Sequence, residues 1–170
     1  MAYTGQDAEA RRTLAPLAAN GFADIPKNSV WADCLTAAAV AVVLLDEPDW
    51  AQALYALLRP YARLNVTGTG GSGLNGSVAL YLGMLAATTG RWEAAAEHFD
   101  DALEAHARMG AKPFEAWTRC EHARMLLAQG DPHASRCRAS TLAPRSACST
   151  RARKGGTTGT PSAATITPSN

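Results

Sequence analysis

The chain has 170 residues, 47% of them hydrophobic and 18% charged, and a formal net charge of +1. That length allows one domain or a short solenoid, and the apolar content suffices for a core, although much of it is alanine, which buries little area per residue. The most apolar stretch, Leu35 to Leu45, covers 11 positions, too few to cross ~30 Å of hydrocarbon. The N-terminus, Met-Ala-Tyr-Thr-Gly-Gln-Asp, has no apolar run behind a basic start, so a secretory signal is not expected and a cytoplasmic location is the default.

Residues 6–21 read as a first helix, with Asp7 as N-cap, Ala10, Leu14 and Leu17 as its stripe and Gly21 as a stop. Pro16 inside it predicts a kink or a shortening. A loop follows through Pro26. Ser29 can cap the next helix, Val30 to about Asp46, which is apolar nearly all round and therefore expected to be buried. Glu47-Pro48-Asp49-Trp50 is a turn, and a partner helix runs from Asp49 to about Arg59, where Pro60 ends or bends it. Asn65 to Gly76 is glycine-rich and reads as a flexible connection between units.

Ser77 to Gly110 is the most informative stretch. It reads as two amphipathic helices joined at Gly90-Arg91-Trp92. On the first, Val78, Leu82, Leu85 and Thr89 share a face, with Tyr81 beside them. On the second, Trp92, Ala95, Ala96, Phe99, Ala102, Leu103 and His106 form the buried face, and Glu93, Glu97, Asp100, Asp101 and Glu104 the wet one. A further helix is predicted over Pro113 to Gln129, with Pro113 suited to its first turn.

The turns recur. Asp7 to Trp50 is 43 positions, Trp50 to Trp92 is 42, and Trp92 to Pro132 is 40. The pattern Leu82-Gly83, Gly90, Trp92, Ala95, Phe99, Ala102 resembles a tetratricopeptide repeat, in which the glycine lets helices approach and the phenylalanine packs between them. The motif's final proline is replaced here by Met109-Gly110. The predicted fold is therefore all-α: a tetratricopeptide-like α-solenoid over residues 1–134, with half a repeat at each end and helices longer than those of the usual 34-residue unit. By the same analogy the helices at Val30–Asp46, Ser77–Thr89 and Pro113–Gln129 line the concave side. Leu80, Met84, Trp117 and Arg124 are then the candidate interaction residues.

Residues 135–170 are a different material. Up to residue 135 there are ten basic and fifteen acidic side chains; beyond it there are six basic and none acidic. A segment of Ser, Thr, Ala, Arg, Pro and Gly cannot bury enough apolar area to offset backbone ordering, so disorder is expected. It reads either as a basic tail that binds nucleic acid weakly through phosphates or as the product of a lost reading frame. The break in mid-element favours the second.

No catalytic constellation emerges, and no enzyme activity, cofactor or metal is expected. Gly71-Ser72-Gly73-Leu74-Asn75-Gly76 matches GxGxxG, but a dinucleotide site needs a buried strand before it and an acidic residue some twenty positions on, at the end of a second strand. Both neighbouring segments are expected to be helical. His98, His106 and His122 lack the i, i+4 spacing of helical metal ligands, and the run Glu97, Asp100, Asp101, Glu104 is a solvated face. Cys34, Cys120, Cys137 and Cys148 show no paired spacing and read as free thiols.

With the repeats in view, NGFADIP, LLRPYARLNV and GSVALYLGMLAATTGRWEAAAEHFDDALEAHARMGAKPFEAWTRCEHARMLLAQGDP together resemble the C-terminal tetratricopeptide-like region of large actinobacterial signal-transduction ATPase regulators. Some of those carry an adenylate or guanylate cyclase domain, others a LuxR-type helix-turn-helix. The resemblance covers Asp7 to Pro132. It implies a protein-interaction segment of a signalling or transcriptional regulator, with a protein or peptide partner such as the ATPase core of a related regulator, and no membrane. Two alternatives stay open: a remnant of a fragmented regulator gene, or a nucleotide-binding or cyclase-associated protein. No Walker motif, cyclase residue or recognition helix is found.

Overall fold

A computed structural model describes residues 7–68 and 73–130. The expected disordered tail, with Cys137 and Cys148, lies outside the described residues. Among the described residues six helices dominate: α1 (Asp7–Ala19), α2 (Trp31–Leu45), α3 (Pro48–Leu58), α4 (Val78–Thr88), α5 (Trp92–Arg108) and α6 (Lys112–Gly130). A 3-10 turn, Arg59–Tyr61, extends α3, and two short strands, β1 (Asn65–Thr67) and β2 (Leu74–Ser77), stand between α3 and α4. The chain is mostly helical, as the periodicity predicts.

Consecutive helices from α2 onward pack on one another, most extensively α4 on α5, and α4 also touches α2 and α6. This placement buries α4 on all sides. Every residue from Val78 to Ala87 is buried, so the single stripe expected of an amphipathic helix is corrected: the helix is a central rod, and its lack of any charged residue is the physical reason. By contrast, α5 is two-faced as expected, with Ala95, Phe99, Ala102 and His106 buried and all five acidic positions exposed.

The α4–α5 crossing explains its own sequence. A Cβ on Gly83 would stand 2.8 Å from Cδ1 and Cε1 of Phe99, closer than real Cβ atoms approach. The glycine therefore clears the space that the ring fills, and small Ala95 and Ala102, both fully buried, lie one turn to either side. The turn between the helices uses Gly90 at φ +74°, where the left-handed cap costs a Cβ-free residue little.

Within the segment Asn65 to Gly76, expected as a flexible connection, the described residues form paired strands: β1 and β2 run antiparallel, with Asn65 opposite Ser77 and Thr67 opposite Leu74. A strand does lead into the glycines. Its partner is antiparallel, however, and a dinucleotide fold needs parallel strands joined by a crossover helix. The helices are of mixed length: α3 and α4 have 11 residues each, and α2, α5 and α6 have 15, 17 and 19. The hairpin lies between Trp50 and Trp92 and takes up part of that spacing, and α4 and α6 begin at Val78 and Lys112, 34 positions apart.

Local details depart from expectation in two places. Ser29 does not cap α2: the N-cap is Val30, with no side-chain cap bond, and just before it the Asn28 Oδ1 accepts from the Val30 N–H at 3.1 Å. Phe22, expected in a loop, is fully buried with a left-handed φ of 65°; its N–H donates to the Leu17 carbonyl at 2.8 Å, tying the end of α1 to the core. The helix α1 runs through Pro16 without ending there. No helix among the described residues is long and apolar enough to cross a membrane.

Candidate interaction groove

Three helices meet the solvent along one concavity. From α2 it takes Val40, Val43 and Leu44; from α4, Met84 and Ala87; from α6, Trp117, Cys120, Glu121, Arg124 and Met125, with Phe99 at its floor. The cavity measures about 240 Å³. Its walls are apolar because α2 and α4 carry almost no polar residues on these turns. The polar groups come from α6 alone.

Those groups are tied together. The indole N–H of Trp117 donates to Glu121 Oε1 at 3.0 Å, and Arg124 donates to the same oxygen at 2.5 Å. The spacings i, i+4 and i, i+3 put all three on one face of α6. Glu121 is nearly buried, while the Arg124 side chain is 37% exposed. A carboxylate thus fixes the indole and the guanidinium as one polar rim over an oily floor, an arrangement suited to one bulky apolar group with a polar neighbour. At the N-terminal end of the groove the Tyr81 ring meets Trp117 edge-on, 5.9 Å between centroids. The Tyr81 hydroxyl donates to the Asn75 carbonyl at 2.5 Å, so the hairpin buttresses that end.

Of the four candidate residues, Met84, Trp117 and Arg124 line this groove together. Leu80 does not: it is 0% exposed and belongs to the core beneath. The α2 wall agrees with the helix expected on the concave side, but its residues Val40, Val43 and Leu44, and Cys120 and Glu121 of α6, are not among the candidates that the sequence singles out. The Trp-x-x-x-Glu-x-x-Arg spacing of α6 was the available signal for Glu121.

The N-terminus of α4 offers no phosphate cradle. Its amides are engaged within the fold: Ser77 N–H donates to His106 Nε2 at 2.8 Å, Val78 N–H to the Leu64 carbonyl at 2.9 Å and Ala79 N–H to Ser77 Oγ at 3.3 Å. A second cavity, about 370 Å³, lies beside this neck and mixes Arg63 and Arg108 with Asp101 and Glu104. Arg108 and Glu104 in it already pair at 2.8 Å. Cys34 and Cys120 are both exposed and unlinked, and among the described residues no group of three His, Cys, Asp or Glu is placed to hold a metal. Comparison of the chain with protein families, with curated proteins and with solved structures finds no match.

Proposed function

We propose that this chain is a non-enzymatic, tetratricopeptide-like helical module that holds a segment of a partner protein against α2, α4 and α6. The observation that carries this reading is the groove itself: Met84, Trp117 and Arg124, chosen by repeat analogy, line one apolar concavity with a carboxylate-anchored rim. The 34-residue step from Val78 to Lys112 supports the repeat reading, as does the Gly83–Phe99 fit. The class of parent suggested by the sequence is a large signalling or transcriptional regulator, for which such a module would dock a partner domain or peptide.

The test is selection of displayed peptides against the full chain. Binders with one bulky apolar anchor are expected, and Trp117→Ala or Arg124→Ala should each weaken them about tenfold or more with the far-UV spectrum unchanged. Binders indifferent to both changes would move the site elsewhere and remove this reading.

A second reading, a remnant without a selected role, is favoured by one observation. Leu126 and Leu127 are 54% and 72% exposed at the end of α6, an apolar surface that invites self-association. Sedimentation decides between them. A monodisperse, cooperatively melting protein supports the module, and concentration-dependent aggregation supports the remnant.

A further inference from the structure

His106 and its partner Thr118 are fully enclosed polar side chains of the groove's supporting layer. His106 is 0% exposed, on the inward face of α5, and both ring nitrogens are engaged. Nε2 accepts the Ser77 N–H at 2.8 Å. Nδ1 lies 3.1 Å from Thr118 Oγ1, and that hydroxyl spends its proton on the Phe114 carbonyl at 2.8 Å. Thr118 can therefore only accept, so Nδ1 carries the hydrogen and Nε2 the lone pair. The chain of bonds fixes one neutral tautomer. It also joins three elements that share few other polar links: the neck between β2 and α4, α5, and the first half of α6.

The packing leaves this ring no room to turn. The Phe114 ring lies 5.5 Å away between centroids. Across from it, a Cβ on Gly76 would come within 3.1 Å of Nε2 and 2.8 Å of Phe114 Cδ1. Only glycine, at φ +85°, lets the neck approach closely enough for Ser77 to donate.

We infer that His106 is a proton-operated latch: neutral, it ties the β2–α4 neck to α6 across α5, and charged, it lets both go. Protonation puts an N–H on Nε2 facing the Ser77 N–H, donor against donor, and leaves a buried charge without an acceptor on that side. Burial itself disfavours the charged ring and holds its pKa below the usual histidine value. From α6, Glu115 opposes this by attracting the charge, but its carboxylate is shared with Lys112 at 2.8 Å and Arg119 at 3.6 Å. From β2, residues Leu74 to Ser77 bring no titratable side chain, and on α5 the nearest charged residues, Glu104 and Arg108, pair with each other on the exposed side. The latch stands on the fold alone. Its consequence for ligand binding, a loosened wall at Met84 and Trp117, rests on the proposed function.

Segment-resolved hydrogen exchange of the full chain without ligand, together with long-range proton–nitrogen spectra of the histidine rings, tests the latch. At pH 7.5 His106 should show the neutral Nδ1–H form. Between pH 7.5 and 5, amides of 74–79 and 112–121 should open about tenfold more, after correction for intrinsic rates, for each unit separating the folded from the unfolded pKa. Those of α2 should change far less. His106→Gln, which keeps an acceptor near Ser77 but cannot charge, should abolish the difference. Equal acceleration in the Gln variant, uniform acceleration in all helices, or a His106 that charges near its ordinary pKa with no local opening would overturn the inference. If the Gln variant fails to fold, the ring spectra and exchange of the unaltered chain still decide. His98 is a built-in control, because it sits against Tyr55 of α3, 2.9 Å from the hydroxyl, and would open a different contact.

Discussion

At the scale of single residues, the fold depends on a few places where one side chain's absence makes room for another's presence. Phe99 is 1% exposed and occupies the space left by Gly83. Phe99→Ala should cost about 3–5 kcal/mol in chemical denaturation, as a lost core aromatic does. A loss under about 1 kcal/mol would mean the ring is not the plug between α4 and α5. Gly83→Ala should cost about 1–3 kcal/mol by overpacking. Combined with Phe99→Leu, it should cost less than the sum of the two single changes by about 1 kcal/mol, because the two atoms that collide belong to one contact. Strict additivity would put them in separate environments.

At the scale of elements, what was legible in the sequence depended on whether a helix has a wet side. The helix α5 has one, so alternating burial and charge gave its register residue by residue, down to His106. The bounds of α2, α3 and α6 followed within a residue or two from Pro48, Pro60 and Pro113. On α4 a periodic stripe was read where none exists, because a rod buried on every side has no period to find. The hairpin was missed because Gly-Thr-Gly-Gly-Ser-Gly dominates its composition and strands of three or four residues carry too little alternation. Phe22 was missed for a similar reason: a single buried aromatic at positive φ leaves no local pattern. The groove was legible only in part, since its α2 wall is apolar like the rest of that helix. One element-scale prediction concerns α1. Pro16 sits in its interior, where it removes a backbone donor and crowds the preceding turn. Pro16→Ala should therefore stabilise α1 by about 1–3 kcal/mol. Amides of residues 12–19 should exchange at least about tenfold more slowly, and unchanged exchange would mean that α1 is limited by its docking on α2.

At the scale of the whole molecule, acid should be the weak side. His98 and His106 both have lowered pKa values, burial being the main cause. The unfolded chain then takes up protons as pH falls below about 6.5 while the folded chain does not, so stability drops from there towards the folded pKa values. Glu115 adds to the loss further down: the Lys112 ammonium bonded to it holds its carboxyl below the usual range, and that contribution disappears as the carboxylate protonates. Denaturation midpoints should be highest above about pH 6.5 and decline towards pH 5; a flat profile would mean both imidazoles are as free to charge in the folded chain as in the unfolded one. The same molecule-wide packing sets up the functional reading, because α4 can present Met84 and Ala87 to a groove only while α2 and α6 flank it. The most direct measurement is hydrogen exchange of the full chain with and without a selected peptide. The module account predicts protection concentrated in residues 40–44, 84–87 and 117–125, with the acidic face of α5 unchanged. Protection confined to α3 and α5, or none in α6, would contradict it.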